Sequence, residues 1–162
     1  MPEIRKLTPA RWRDYRALRL EALKGEPEAF GSSYEEEIKL AYKDWRNRLR
    51  NVMFAFYEDK PVGMIAVVFN KRYKTKHIAN IYSFYVSKGY RGNGLGGLLM
   101  GRALSTVKKH GGIAKVTLSV NTKQTPAINL YKKNGFVISG KLRKELKIKS
   151  RFYDEFIMEK LL

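Results

Sequence analysis

The sequence predicts one α/β domain, built on a mixed, mostly antiparallel central sheet of about seven strands with helices flanking it. Three observations lead there. Strand-like and helix-like segments follow one another in the order β-α-α-β-β-β-α-β-α-β-β. Three consecutive middle strands and two terminal ones are separated by short polar connections, as antiparallel neighbours are, whereas the single strand–helix–strand unit from His77 to Val120 calls for a right-handed parallel crossover. The 162 residues contain no repeat, linker or low-complexity stretch, so residues 1–162 read as one domain.

Each element has a local reason. Ile4–Leu7 reads as a short strand. Thr8 can cap a helix with Pro9 at its first position, and Trp12, Tyr15, Leu18, Leu20 and Leu23 follow at near-helical spacing until Lys24-Gly25-Glu26-Pro27 stops it. Ser32 or Ser33 can cap a second helix running to about Arg50, with Glu35, Glu36 and Glu37 in the first turn, where carboxylates suit the helix dipole. Val52–Tyr57, Val62–Phe69 and His77–Val86 are apolar, β-branched and aromatic runs divided by Glu58–Pro61 and Asn70–Lys76, and predict an antiparallel meander. A glycine-bearing loop, Ser87–Gly94, then precedes a helix over Leu95–His110, whose Leu95, Leu98, Leu99, Ala103 and Val107 share a face and which Gly111-Gly112 ends. Lys115–Val120 is a strand, Thr125–Asn134 a short helix closed by Gly135, and Phe136–Ile148 with Phe152–Leu161 a terminal hairpin.

Composition narrows the chemistry. There is no cysteine, which excludes disulfides, thiolate metal sites and a cysteine nucleophile and fits a reducing compartment. The N-terminal residues lack the apolar core of a secretion signal, and no run approaches the roughly 20 apolar residues of a membrane helix, so a soluble, cytoplasmic protein with no membrane partner is expected. The net charge of +18 is spread along the chain, densest over Lys141–Arg151 and next over Lys71–Lys76. Such an excess attracts polyanions, whether nucleic acid, anionic lipid or a phosphorylated cofactor. Basic and aromatic residues interleave at Arg72-Tyr73-Lys74 and Arg151-Phe152-Tyr153, as a stacking groove would require, but no nucleic-acid motif accompanies them and a charged surface accounts for them more simply.

The segment Arg91-Gly92-Asn93-Gly94-Leu95-Gly96 lies where a strand delivers the chain to a helix N-terminus. Free amides and the positive end of the helix dipole favour a phosphate there, glycine allows close approach, and Arg91 adds a guanidinium. Gly92, Gly94 and Gly97 also match G-x-G-x-x-G, but a dinucleotide fold wants an acidic ribose ligand about 20 residues on, where Lys115–Ser119 carries no carboxylate. Gly-Lys-Ser/Thr is missing, which removes a P-loop, and a tight turn without a ligand is the plain structural alternative.

Arg91-x-x-Gly94-x-Gly96, after a strand ending Phe84-Tyr85-Val86, resembles the acetyl-CoA signature of the GNAT N-acetyltransferases. Downstream, Asn121, Ala127, Leu130-Tyr131 and Gly135-Phe136 resemble that family's second motif, and the terminal hairpin with Tyr153-Asp154 and Met158 looks like its usual end. The resemblance implies the GNAT fold, with two parallel strands, here His77–Val86 and Lys115–Val120, splayed to admit the pantetheine arm. It implies that Arg91, Gly92, Asn93, Gly94, Leu95 and Gly96 bind pyrophosphate, that main-chain groups of Tyr85 and Val86 hold the pantetheine, and that Asn121, and less directly Asn129, hydrogen-bond it. It implies direct acetyl transfer from acetyl-CoA, without a metal, to an amine in a ternary complex, with an amide near Val86 facing the oxyanion and Tyr131 as general acid on the thiolate. A tyrosine near 10 and a thiol near about 8.5 are close enough for that exchange; the alternative for Tyr131 is a packed aromatic beside Phe136.

The strand before the loop, Asn80-Ile81-Tyr82-Ser83-Phe84, carries no acid, so the general base is open: Glu35, Glu36 or Glu37, His77, or a water chain through Tyr82 or Ser83. His110 reads as a cation at a helix end. The family analogy puts Phe30, Tyr34, Tyr153 and Asp154 about the acceptor, taken as a small-molecule amine, with a protein lysine or N-terminal amine as the alternative. A non-catalytic acetyl-CoA-binding module and a basic nucleic-acid-associated protein are the readings from other classes; nucleic acid is not the favoured partner. A homodimer is compatible with the resemblance, though no segment establishes one.

Overall fold

A computed structural model describes residues 1–162. Seven strands form one sheet: β1 (Glu3–Arg5), β2 (Val52–Tyr57), β3 (Lys60–Phe69), β4 (Ile78–Val86), β5 (Lys115–Asn121), β6 (Val137–Ile148) and β7 (Arg151–Leu161). Their order is β1-β2-β3-β4-β5-β7-β6, antiparallel throughout except for the parallel pair β4–β5. The helices are α1 (Trp12–Gly25), α2 (Tyr34–Glu37), α3 (Tyr42–Leu49), α4 (Leu95–His110) and α5 (Thr125–Lys133). Helices α1 and α3 cover one face of the sheet, where Tyr15, Leu23, Trp45 and Leu49 pack on Phe54, Phe56, Met64 and Tyr85. Helices α4 and α5 cover the other, where Leu99, Ala103, Val107 and Tyr131 pack on Ala55, Ile65, Ile81, Val116 and Met158. Both faces being covered, Val52–Phe56 is buried at every residue, as an inner strand should be. No helix is long and apolar enough to cross a membrane.

Two helical expectations need correction. Thr8 stands at the N-cap position with Pro9 next, as expected, but its side chain makes no capping bond, and the first turn, Pro9–Arg11, is 3-10 and runs directly into α1 at Trp12. The second is not continuous from Ser33 to Arg50. Ser33 caps α2, its Oγ accepting from the Glu36 amide at 3.2 Å, but the helix stops after one turn. The chain restarts at α3, where the Asp44 carboxylate accepts from the Ala41 amide at 3.0 Å. Ion pairing of Glu37 with Arg19 on α1 and Arg48 on α3 ties the break down, since each helix then presents its own polar residue to the same point.

The feature that places the site is a bulge in β4. Ala66 pairs with Tyr82 and Met64 with Tyr85, so Ser83 and Phe84 together oppose Ile65. Ser83 takes φ +55°, a left-handed conformation unusual for serine. The extra residue shifts the side-chain alternation: Ala79, Ile81 and Phe84 pack with α4 and α5, whereas Tyr85 lies with α1. A bulged strand bends, and β4 pairs with β5 only through Ile78–Lys115, Ala79–Val116 and Asn80–Thr117. Beyond that the two strands part, leaving a wedge between Ile81–Val86 and Leu118–Asn121.

Candidate active site

A groove of about 340 Å³ enters the wedge from the α4 side, between the start of α4 and α5. Gly92, Gly94, Leu95, Gly96 and Gly97 form one wall, and Asn121, Ala127, Leu130 and Tyr131 stand opposite. Gly92 and Gly94 have φ +80° and +78°, which turns the chain sharply into the helix. The first bond of α4 runs from the Leu98 amide to the Gly94 carbonyl at 3.1 Å, and the six amides from Gly92 to Gly97 find no acceptor within the protein. Six consecutive unpartnered donors at the positive end of a 16-residue helix make a cradle for an anion.

The other predicted cofactor residues divide. Val86 lines the groove, and its carbonyl accepts from Arg91 Nε at 2.8 Å. Arg91 also pairs with Glu26 at 2.8 Å, so its guanidinium is held against the groove wall. Tyr85 is buried, its hydroxyl donating to Glu21 at 3.0 Å; burial and that carboxylate push its pKa up to about 12. Asn121 is buried at the mouth of the wedge, with Nδ2 donating to the Glu28 carbonyl at 3.1 Å and Oδ1 accepting from the Lys123 amide at 2.9 Å. It therefore clips the end of β5 to the Pro27–Ala29 turn and keeps one amide hydrogen free. Asn93 and Asn129 are exposed, and neither side chain joins the groove wall.

On the α1 side of the wedge lies a second cavity of about 510 Å³. The two hollows share Ala29, Phe84, Ser119 and Tyr131, so they meet at the gap between β4 and β5. Tyr131 is nine-tenths buried, its ring 5.8 Å from that of Phe84 and 6.1 Å from that of Phe136, centroid to centroid, and its hydroxyl has no hydrogen-bond partner in the protein. Burial drives its pKa well above the ordinary tyrosine value, so it stays a neutral phenol throughout the usual pH range. The residue thus packs beside Phe136 and also stands where the two hollows join.

Four charged residues line the second cavity: Arg19, Glu37, Arg48 and Glu155. Arg19 grips Glu37 with two bonds, 2.9 and 3.0 Å, and reaches Ser83 Oγ at 3.2 Å, which braces the bulge. Arg48 adds a contact to Glu37 at 2.9 Å. Burial pushes the Glu37 carboxyl up, but the two guanidinium groups outweigh it and hold its pKa below the usual range. Glu155 carries neither an ion pair nor a hydrogen bond; burial, aided by the nearby Glu145 carboxylate, raises its pKa.

Of the residues expected around an acceptor, Phe30, Tyr82 and Ser83 line this cavity. Glu35, Glu36, Tyr34 and His77 do not; His110 ends α4, as expected, and stacks on Phe69 at 3.8 Å. Tyr153 lies beneath Lys123, and Asp154 holds a bulge in β6 by accepting from the Lys144 amide at 2.8 Å. Sequence reasoning missed Arg19, Arg48 and Glu155. Arg19 interrupts the buried stripe of Tyr15, Leu18 and Leu23, and Glu155 falls between Tyr153 and Ile157 on one side of β7; a charge in an apolar register was the available signal.

A mixed sheet whose single parallel pair splays open beside an anion-cradling helix start defines a binding site for a long anionic ligand. Residues 10–136 match the family model described as the Acetyltransferase (GNAT) family. The chain belongs to that family. It is 31% identical over 150 residues to an uncharacterised N-acetyltransferase of Methanocaldococcus jannaschii, covering 86% of this chain and 64% of that protein. To the mycothiol acetyltransferase of Corynebacterium glutamicum (strain R) it is 30% identical over 119 residues, 74% of this chain and 39% of that one. The chain thus spans less than two-thirds of the length of either relative. Among solved structures, a GNAT-family acetyltransferase from Streptococcus pneumoniae superposes with a TM-score of 0.88 at 26% identity, covering 100% of both chains. A putative acetyltransferase from Salmonella typhimurium, solved with its cofactor acetyl-CoA, shares the fold with a TM-score of 0.86 at 14% identity, covering 100% of this chain and 94% of that one.

Proposed function

We propose that this protein transfers an acetyl group from acetyl-CoA to a primary amine in one step, within a ternary complex, and that the acceptor is a small molecule in the cytoplasm. The observation that carries the proposal is the run of six unpartnered amides, Gly92–Gly97, opening onto a wedge that joins two hollows. One hollow suits a long anionic cosubstrate; the other, lined by Phe30, Tyr82, Glu37 and Glu155, suits an amine. Acetyl-CoA supplies an activated thioester. In this reading the Gly92–Gly97 amides hold its pyrophosphate, the free edge of β4 at Tyr85–Val86 and the remaining Asn121 amide hydrogen bind the pantetheine arm, and an amide near Val86 faces the developing oxyanion.

Tyr131 is the proton donor to the departing sulfur. Its raised pKa makes it a weaker acid than a free tyrosine, so it hydrogen-bonds the departing sulfur and gives up its proton only as the proton leaving the nitrogen replaces it, ending again as a neutral phenol. The ordered two-sided site needs no covalent enzyme intermediate. The test is amine-dependent release of free thiol from acetyl-CoA across a panel of small amines, amino acids and lysine-bearing peptides. Release with small amines supports the proposal, release with peptides alone moves the acceptor to protein amines, and release with neither refutes it.

A further inference from the structure

The structure assigns the acceptor-side proton to Glu155: we propose that its carboxylate receives the ammonium group of the acceptor amine and removes its proton. This assignment rests on the acetyl-transfer reading above. The acceptor cavity is lined by two carboxylates, Glu37 and Glu155. Glu37 is committed, with both oxygens bonded to Arg19 and a further contact to Arg48. Glu155 has no partner at all. It lies on β7 directly opposite Asn121 of β5, so the two side chains project from the same side of the sheet at the mouth of the wedge. It shares the cavity with Ser119 and Tyr131, the residues at which that cavity meets the groove.

Charge orients the acceptor the same way. Arg19, Arg48 and Glu37 leave one excess positive charge where α1 and α3 meet, which repels an ammonium group, and Glu155 offers the one uncommitted negative charge on the opposite side. The carboxyl is also kept less acidic than an ordinary glutamate by its burial and by Glu145, which suits a group that must accept a proton from an amine. The proton balance closes. The acceptor ammonium gives one proton to Glu155, which passes it to solvent. The freed nitrogen lone pair forms the C–N bond to the thioester carbonyl, and the C–S bond breaks. The second nitrogen proton compensates the thiolate by way of Tyr131. The products are an amide, coenzyme A as a thiol, and one proton.

The test compares wild type with Glu155→Gln and Glu155→Asp, using acetyl-CoA and two probe amines: ethanolamine, an ammonium ion at neutral pH, and methoxyamine, already a free base there. Thermal unfolding checks that the variants fold. The expected result for Glu155→Gln is a loss on the order of 10²-fold in kcat with ethanolamine, little loss with methoxyamine, and unchanged acetyl-CoA affinity; Glu155→Asp retains part of the ethanolamine rate. In wild type the ethanolamine rate falls at acid pH as Glu155 protonates, in a field set by Glu145 on β6, Tyr131 on α5, and Arg19, Glu37 and Arg48 across the cavity. That acid limb disappears in Glu155→Gln. Equal losses with both amines, or an unchanged ethanolamine rate, overturn the assignment while leaving acetyl transfer intact. If wild type acetylates neither probe, the same comparison is made with the amine that releases thiol in the panel above, at pH values on either side of its own pKa; no release with any member of that panel refutes the acetyl-transfer reading itself, and the role of Glu155 with it.

Discussion

Replacing Glu37 by glutamine tests whether the buried Arg19–Glu37–Arg48 cluster holds α1, α2 and α3 together. The change keeps the side chain's shape and removes its charge. In the native protein the Arg19 and Glu37 side chains are 7% and 4% exposed, and three contacts of 2.9, 3.0 and 2.9 Å join Glu37 to the two arginines. Neutralising one partner leaves the Arg19 guanidinium buried without a counterion, which costs about 3–5 kcal/mol. Against a typical total stability of about 5–15 kcal/mol this is a large fraction. For a chain of this length it lowers Tm by roughly 10 °C. Denaturant titration and thermal scans at neutral pH measure it directly. The pH dependence has a definite sign. The folded pKa of Glu37 lies below its ordinary value of 4.5, so its stabilisation is complete above 4.5 and is lost as pH falls through the lowered folded value. The gap between wild type and Glu37→Gln should therefore narrow below that pH. A double change of Arg19 and Glu37 to methionine should recover much of the loss, since it removes the orphaned charge. A Glu37→Gln protein within about 1 kcal/mol of wild type, with no narrowing in acid, would refute the reasoning.

Two further predictions concern the groove. A Cβ added at Gly97 meets nothing within 4 Å, and Gly97 lies in the first turn of α4 with no positive φ. Gly97→Ala should therefore stabilise the fold by about 0.5–1 kcal/mol through helix propensity, yet weaken acetyl-CoA binding, as read by calorimetry on the same sample; stabilisation with unchanged affinity would remove the cradle from the cofactor site. Tyr131→Phe should keep the packing on Phe84 and Phe136 and the acetyl-CoA affinity, while lowering kcat on the order of 10²-fold; an unaltered rate would remove Tyr131 from the chemistry.

Much of this architecture was legible in the sequence because it follows from local rules. Strands β2 to β4 announce themselves by β-branched and aromatic runs, and the Arg91–Gly96 segment by glycines meeting a helix start. The long second helix was misread because its interruption depends on Glu37 finding Arg19 and Arg48, which are distant in sequence or invisible to helix propensity. The bulge escaped for a related reason. Serine at position 83 carries no turn signature, and its φ of +55° is imposed by the sheet and by the contact from Arg19. Glu155 was hidden by the same limit: its lack of a partner is a property of the assembled cavity and not of the hairpin that carries it. The segment of unpartnered amides at the start of α4 was readable because one continuous stretch supplies the donors, and the charged lining of the second cavity was not, because four elements converge there.

The most direct test of the central claim is isothermal titration of the protein with acetyl-CoA, with NADH and a short RNA as parallel ligands. The expected result is 1:1 binding of acetyl-CoA alone, abolished by filling the groove at Gly97 with a larger side chain such as leucine. Absence of acetyl-CoA binding, with tight and salt-dependent binding of RNA instead, would contradict it and make the +18 charge the better guide to function.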